Sequence, residues 1–333
     1  MPTWMLFVIG LAALALSVGI ATCVGANGVG LSELARAVGT RLGLPVEPLP
    51  RLLDSLIWQL RVPRVLLAAL IGAMLAVSGT VLQGLTGNAL ADPYLLGVSN
   101  GASVGAVSMT LLGLGGSALG LSGGALLGAL LSFGLMMLLL RGGMRTVRIV
   151  LTGVVVGQLF AALTSLLIMA SADAETTRAI TYWLLGSMTS ARWDSVVVCA
   201  IACAVGVAAC WNRSQALDAF AFGEDTAESL GISVRATRIG TLVMTALLTS
   251  VAVASVGAVG FVGLIVPHAA RFMVGPRHRV LTPFAAIMGA LFLVWTDALA
   301  RVALAPREAP VGVITAVIGV PLFLLILRRR GEL

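Results

Sequence analysis

Ten runs of apolar residues limit what this chain can fold into more than any other feature. They cover approximately 5–25, 63–82, 94–112, 116–140, 148–170, 193–211, 239–257, 258–271, 281–302 and 310–327 of its 333 residues. A helix needs about 20 mainly apolar residues to cross a bilayer. In hydrocarbon every backbone amide must find its partner inside the protein, so only helices and closed barrels span. Barrel strands alternate in polarity over about ten residues, whereas these runs are longer and unbroken. The expectation is an all-α polytopic membrane protein with ten transmembrane helices in one domain, 1–333. The eighth run is short, with Gly257, Gly260 and Gly263 at its start, so a broken or half-length helix is expected there. An even number of spans puts both termini on one side.

Arginines orient the bundle. Arg141, Arg145 and Arg148 follow the fourth run, and Arg328, Arg329 and Arg330 follow the tenth. Parity places both clusters with the N-terminus, and the bias of basic residues toward the inner side makes that side cytoplasmic. Twelve arginines then lie inside and nine outside. All 21 basic residues are arginine, which excludes a P-loop lysine and a Schiff-base cofactor. The net charge of +7 reflects topology rather than nucleic-acid binding. Cys23, Cys199, Cys203 and Cys210 lie in apolar runs without C-x-x-C spacing, as helix-packing residues do. With two histidines, no metal site is expected. The first run lacks a basic n-region, so a span is expected there in place of a cleaved signal peptide. No appended soluble domain is expected.

Between the runs, residues 26–62 form an external segment. Leu34, Ala35, Val38 and Leu42 recur at helical spacing, as do Leu49, Leu52, Leu53, Leu56, Ile57 and Leu60, with Pro45, Pro48 and Pro50 between the two sets. Amphipathic helices along the membrane face are expected. Within the runs, Gly97, Gly101 and Gly105 share a face, as do Gly153 and Gly157, which allows close helix approach. Gln83, Asn100, Gln158 and Asp297 are polar residues at membrane depth. Such residues bond between helices or line a solute path.

Two constellations suggest partners. Arg61, Arg64 and Arg301 are fixed cations on the external side, suited to acidic residues of an external partner. Snorkelling to headgroups, or for Arg301 an in-helix pair with Asp297, would explain them without a partner. Residues 212–238 hold AFGEDTAESLGISVR (221–235), too polar to span and helix-prone, as a docking surface for a cytoplasmic partner would be. Gly97-Val98-Ser99-Asn100-Gly101 matches G-x-S-x-G, but a nucleophile elbow needs a strand before the serine. His268 is the one histidine near a span that an intramembrane serine protease could use.

The chain resembles the FecCD-type permeases, membrane subunits of ABC importers for iron-siderophores, haem and cobalamin. The resemblance is carried by RVPRVLLAALIGAMLAVSGTVLQGLTGNALADPYLLGVSNGAS (61–103), YWLLGSM (182–188), FGEDTAESLGISV (222–234), VGFVGLIVPHAAR (259–271), DALAR (297–301) and EAPVGVITAVIGVPLF (308–323). It implies a type II ABC importer architecture and a homodimer with the translocation path on its two-fold axis. It implies that Gly223, Glu224, Ala227, Leu230 and Gly231 couple to two cytoplasmic ATPase subunits. It also implies that Arg61, Arg64 and Arg301 receive a periplasmic or lipid-anchored binding protein. Asn88, Leu90, Thr146 and Val147 match positions that close the path inside, and Gln158 is expected along it. Where the family often has Asn-Pro-Leu-Ala, this chain has Asn88-Ala89-Leu90-Ala91, so the gate backbone is expected to differ.

The implied function is import of an iron chelate, ferric siderophore or haem, across the bacterial inner membrane. Cobalamin is the alternative cargo. No catalysis occurs in this chain, and ATP and Mg are bound by the partner ATPase. From other classes, an ion-coupled secondary transporter would need buried titratable groups, and a protease would need Ser99 and His268 together.

Overall fold

Each of the ten apolar runs contains a helix in the computed structural model, which describes residues 2–25, 28–115, 118–142, 144–170, 174–305 and 307–330. In chain order the helices are α1 (Thr3–Cys23), α2 (Leu31–Arg41), α3 (Arg51–Ser55), α4 (Val62–Thr86), α5 (Val98–Leu111), α6 (Ala118–Leu139), α7 (Thr146–Ala170) and α8 (Ala174–Leu184). After them come α9 (Trp193–Asn212), α10 (Ser214–Phe220), α11 (Glu224–Ser229), α12 (Val234–Val256), α13 (Val262–Val274), α14 (His278–Val302) and α15 (Val311–Arg330). No strand occurs among the described residues.

Seven of these helices are long and apolar enough to cross a membrane. Of the other three expected spans, two coincide with markedly shorter helices. α5 has 14 residues and α13 has 13; at 1.5 Å per residue α5 is about 21 Å long, less than the hydrocarbon core of about 30 Å. A 3-10 turn, Pro93–Leu96, leads into α5, and Gly97 at φ 74° joins the two. The break expected before the eighth span is real: residues 257–261 are not helical. Phe261 there, at φ 69°, is the one non-glycine residue with positive φ among the described residues. Irregular backbone at membrane depth must be paired within the protein. Tyr94 supplies this, its hydroxyl accepting from the Val259 N–H at 2.8 Å and donating to the Val259 carbonyl at 2.9 Å.

α4 is the central helix. In its most apolar stretch 83% of the residues are buried, against 22% for α7 and for α9. Small residues make this possible. Gly72 lies against the Gly289 carbonyl of α14, and Gly289 against the Gly72 carbonyl. Gly79 lies against the Gly263 backbone of α13. The Gly101–Gly105 stripe meets Gly124 and Gly128 of α6, and Gly153 meets the Leu95 carbonyl. Those glycines therefore serve packing. So do two of the membrane-depth polar residues: Gln83 donates to the Gly263 and Leu264 carbonyls, and Asn100 donates to the Gly157 carbonyl at 2.9 Å.

The segment before α4 differs from the two separate amphipathic helices expected. α2 is separate, but α3 continues through a π-helical turn, Leu56–Arg61, into α4, giving one helix of 36 residues from Arg51 to Thr86. Ion pairs hold α2 to the chain beyond it: Arg41 to Asp54 of α3 at 2.8 Å and Arg36 to Glu47 at 3.0 Å. The Asp54 carboxyl sits below its usual pKa because Arg41 bonds it.

Candidate functional site

At one end of the α4/α14 pair, Arg61, Arg64 and Arg301 meet. α4 runs antiparallel to α14, so the first turn of one faces the last turn of the other. Asp297 is fully buried and receives two guanidiniums. Arg64 reaches it at 2.9 Å and Arg301 at 3.2 Å. Arg64 also bonds Glu308 at 2.8 Å, on the connection between α14 and α15. A helix leaves its last four carbonyls without intrahelical partners. Here Arg301 takes those of Ala21 and Val24, and Arg61 takes those of Thr22 and Cys23, all at 2.8–3.1 Å. Cations at a helix C-terminus also oppose its dipole favourably. The three arginines, Glu308 and Thr189 line a cavity of about 310 Å³. The cluster thus carries three cations against two carboxylates. Asp297 and Arg301 are buried, while Glu308 is a third exposed.

At the opposite end lies the acidic segment. Residues 214–229 form two short helices, α10 and α11, separated by Gly223 at φ 99° and followed by Gly231 at φ 80°. Both backbone conformations favour glycine. Ala227 is fully buried and packs with Ala219 and Val234, which folds α11 onto the start of α12. Glu224 bonds Arg238 of α12 at 3.0 Å. What remains outward is Phe222, 76% exposed, and Leu230, 66% exposed, beside the exposed acids Asp225 and Glu228. Large apolar side chains presented on an otherwise polar loop suit a protein partner.

Two residues here were not singled out in the sequence. Asp218 of α10 accepts from the His278 backbone N–H at 2.9 Å and from its Nδ1 at 2.6 Å. A carboxylate only accepts, so Nδ1 carries the proton. Burial would raise the Asp218 carboxyl, but the bonds from His278 outweigh it and hold it below its usual pKa. The only sequence signal was an acid in a chain with 14. Nearby, Trp211 Nε1 donates to the Arg279 carbonyl at 2.8 Å.

The positions expected to form the inner gate fall into two groups. Asn88 and Leu90 follow α4, both exposed, and the Asn88 side chain accepts from the Leu90 N–H at 2.9 Å. Such an Asx turn needs no proline, so Ala89 is accommodated. Asp92 caps the next turn at 2.8 Å; burial pushes its carboxyl up to about 6, against the bond from Tyr94. Thr146 and Val147 open α7, with Val147 70% exposed. Gln158, unlike Gln83 and Asn100, is exposed. It shares an open face of α7 with Leu151, Val155 and Leu159.

Ser99 follows a 3-10 turn, not a strand, so the elbow geometry is missing. No group of three metal-ligating side chains occurs among the described residues.

A model of the FecCD transport family matches residues 12–329. The chain is 40% identical over 282 residues to the ABC transporter permease protein YvrB of Bacillus subtilis, covering 83% of this chain and 79% of the relative. It is equally identical to the cobalamin import system permease protein BtuC of Halobacterium salinarum, covering 84% and 75%. The vitamin B12 import system permease protein BtuC of Klebsiella pneumoniae is also 40% identical, over 83% of each chain. Among solved structures, one described as an inward-facing metal-chelate type ABC transporter superposes with a TM-score of 0.87. It is 28% identical and covers 98% of this chain and all of the other.

Proposed function

The chain belongs to the FecCD transport family as an ABC importer permease, and from that premise we propose that it imports a bulky metal chelate as a homodimer. Two relatives carry cobalamin names, which favours a corrinoid cargo. A ferric siderophore or haem is the second reading, supported by the metal-chelate name of the structural neighbour.

One observation carries the reading: two partner-sized features occupy opposite ends of the α4/α14 pair. Arg61, Arg64 and Arg301 carry one excess positive charge and suit glutamates of a periplasmic or lipid-anchored binding protein. At the other end Gly223, Glu224, Ala227, Leu230 and Gly231 present and shape the contact for two ATPase subunits. This chain has no lysine, so ATP and Mg belong to those subunits, and no bond is made or broken here. Closure of the ATPase pair moves the 212–238 segment and rocks the bundle between outward and inward openings. The α7 face with Gln158 lines the path between two copies. Asn88, Leu90, Thr146 and Val147 close it on the ATPase side. The protein lies in the bacterial inner membrane with both termini in the cytoplasm.

The test is co-purification with its cognate ATPase subunit. The native chain retains an ATPase dimer, and the Glu224→Arg, Leu230→Arg double variant loses it. If the variant binds ATPase as well as the native chain does, the segment is not the motor contact. In proteoliposomes with the binding protein, uptake of cyanocobalamin requires ATP and ignores a proton gradient. Uptake of a ferric chelate instead, under the same conditions, moves the cargo to the second reading.

A further inference from the structure

We propose that Asp218 and His278 are positioning residues of the transport cycle, fastening the motor-side segment to α14 so that its displacement reaches the arginine cluster at the far end. The proposal rests on the reading of 212–238 as the ATPase contact. His278 begins α14, and Asp297 and Arg301 lie near its other end. Those ends are about 35 Å apart at 1.5 Å per residue. A single helix therefore touches both partner-facing features.

The fastening is rigid. Asp218 binds two atoms of one residue, the His278 N–H and Nδ1. Bonds to an ionised acceptor are shorter and stronger than neutral ones. The His278 side chain is only 6% exposed, while that of Asp218 is 34% exposed, so the imidazole is held by packing and water reaches only the carboxylate. Trp211, at the end of α9 where the segment begins, ties that end to α14 one residue on, at the Arg279 carbonyl. The imidazole lies directly against Gly84 near the end of α4, where no side chain would fit.

The α4/α14 pair is then held at three heights. His278 sits against Gly84 at one end, the Gly72 and Gly289 backbones touch in the middle, and Arg64 bonds Asp297 at the other end. Two helices joined this way move as one body more readily than they slide, because close-packed interiors resist continuous deformation. The segment's other anchor, Glu224 to Arg238, leads into α12, which ends at Val256 and contributes nothing to the arginine cluster. α10 also packs on α4, whose far end carries Arg64, so both members of the pair reach the cluster and the Asp218–His278 bond fastens the segment to that pair.

The experiment uses the full chain in nanodiscs with its two ATPase subunits and the binding protein. Three quantities are read: retained ATPase, basal ATP hydrolysis, and the ratio of binding-protein-stimulated to basal hydrolysis. Asp218→Ala and His278→Ala are expected to keep the ATPase but lower that ratio at least five-fold, whatever the basal rate. His278→Asn places an N–H donor near the former Nδ1 and is expected to restore at least half of it. Trp211→Phe, which removes one bond and keeps a ring, gives an intermediate loss and serves if the alanine variants misfold. A native ratio in Asp218→Ala overturns the proposal. So does loss of the ATPase from the variants, since the pair would then only shape the contact. Failure of the native chain to retain ATPase overturns the underlying reading instead, at a different step.

Discussion

At Asp297 two guanidiniums meet one carboxylate that water does not reach. Removing one partner of a buried pair costs about 3–5 kcal/mol, because the other charge is left uncompensated. A partly exposed pair is worth about 0–1 kcal/mol. Asp297→Asn is therefore expected to lower the melting temperature of the purified chain sharply. Glu308→Gln, whose carboxylate is a third exposed, is expected to change it little while raising affinity for the binding protein by releasing Arg64 Nη1, the rest of the guanidinium staying on Asp297. Equal melting losses in the two variants would sink this ranking. Asp218 behaves differently, since its folded-state pKa is lowered. The stability it contributes is present above its unfolded value of about 3.9 and is lost as pH falls through the folded value. The melting-temperature gap between native chain and Asp218→Asn is thus expected to be flat above about pH 5 and to close in stronger acid. Of these residues, Arg61, Arg64, Arg301 and Asp297 were legible in the sequence as charges out of place. The in-helix pair of Arg301 with Asp297 was legible too and is present; that Arg64 joins it was not, because that depends on α4 packing beside α14. Asp218 and His278 carried no pattern at all, being 60 residues apart.

Helices here are placed by apolar length but paired by glycine. Gly72 and Gly289 leave no room for a methyl group between the two backbones, whereas a side chain at Gly134 would meet nothing within 4 Å. Overpacking a well-filled contact costs about 1–3 kcal/mol or more. Gly72→Val is expected to reduce the monodisperse fraction on size-exclusion chromatography, and Gly134→Ala to leave it unchanged. An equal yield from both would mean that α4 and α14 can separate. The stripes Gly97–Gly105 and Gly153–Gly157 were readable as close-approach faces, and they are. What they approach was not readable, since spacing identifies a face and not its partner. The join of α3 to α4 was likewise hidden: Pro50 marks a start, but nothing in the pattern marks the π turn that carries the helix on.

For the whole molecule, the open face of α7 and the exposed residues of α9 make opposite predictions. In a background without native cysteines, Gln158→Cys is expected to cross-link two copies through a bis-maleimide, and Val205→Cys, 64% exposed on α9, is not. Cross-linking through α9 alone would place the two-fold axis elsewhere. The sequence by itself determined that this chain is an all-helical membrane protein, where its long apolar runs lie, and to which family it belongs. Apolar length and ordered local motifs are written along the chain, and helical hydrogen bonds close within a few residues. Tertiary structure alone decided that Arg61 and Arg301 cap α1, that Arg64 reaches Asp297, that Tyr94 holds the irregular backbone at Val259, and that Asp218 grips α14. Each of those contacts joins residues far apart in sequence, at distances set by how closely small side chains let the helices approach.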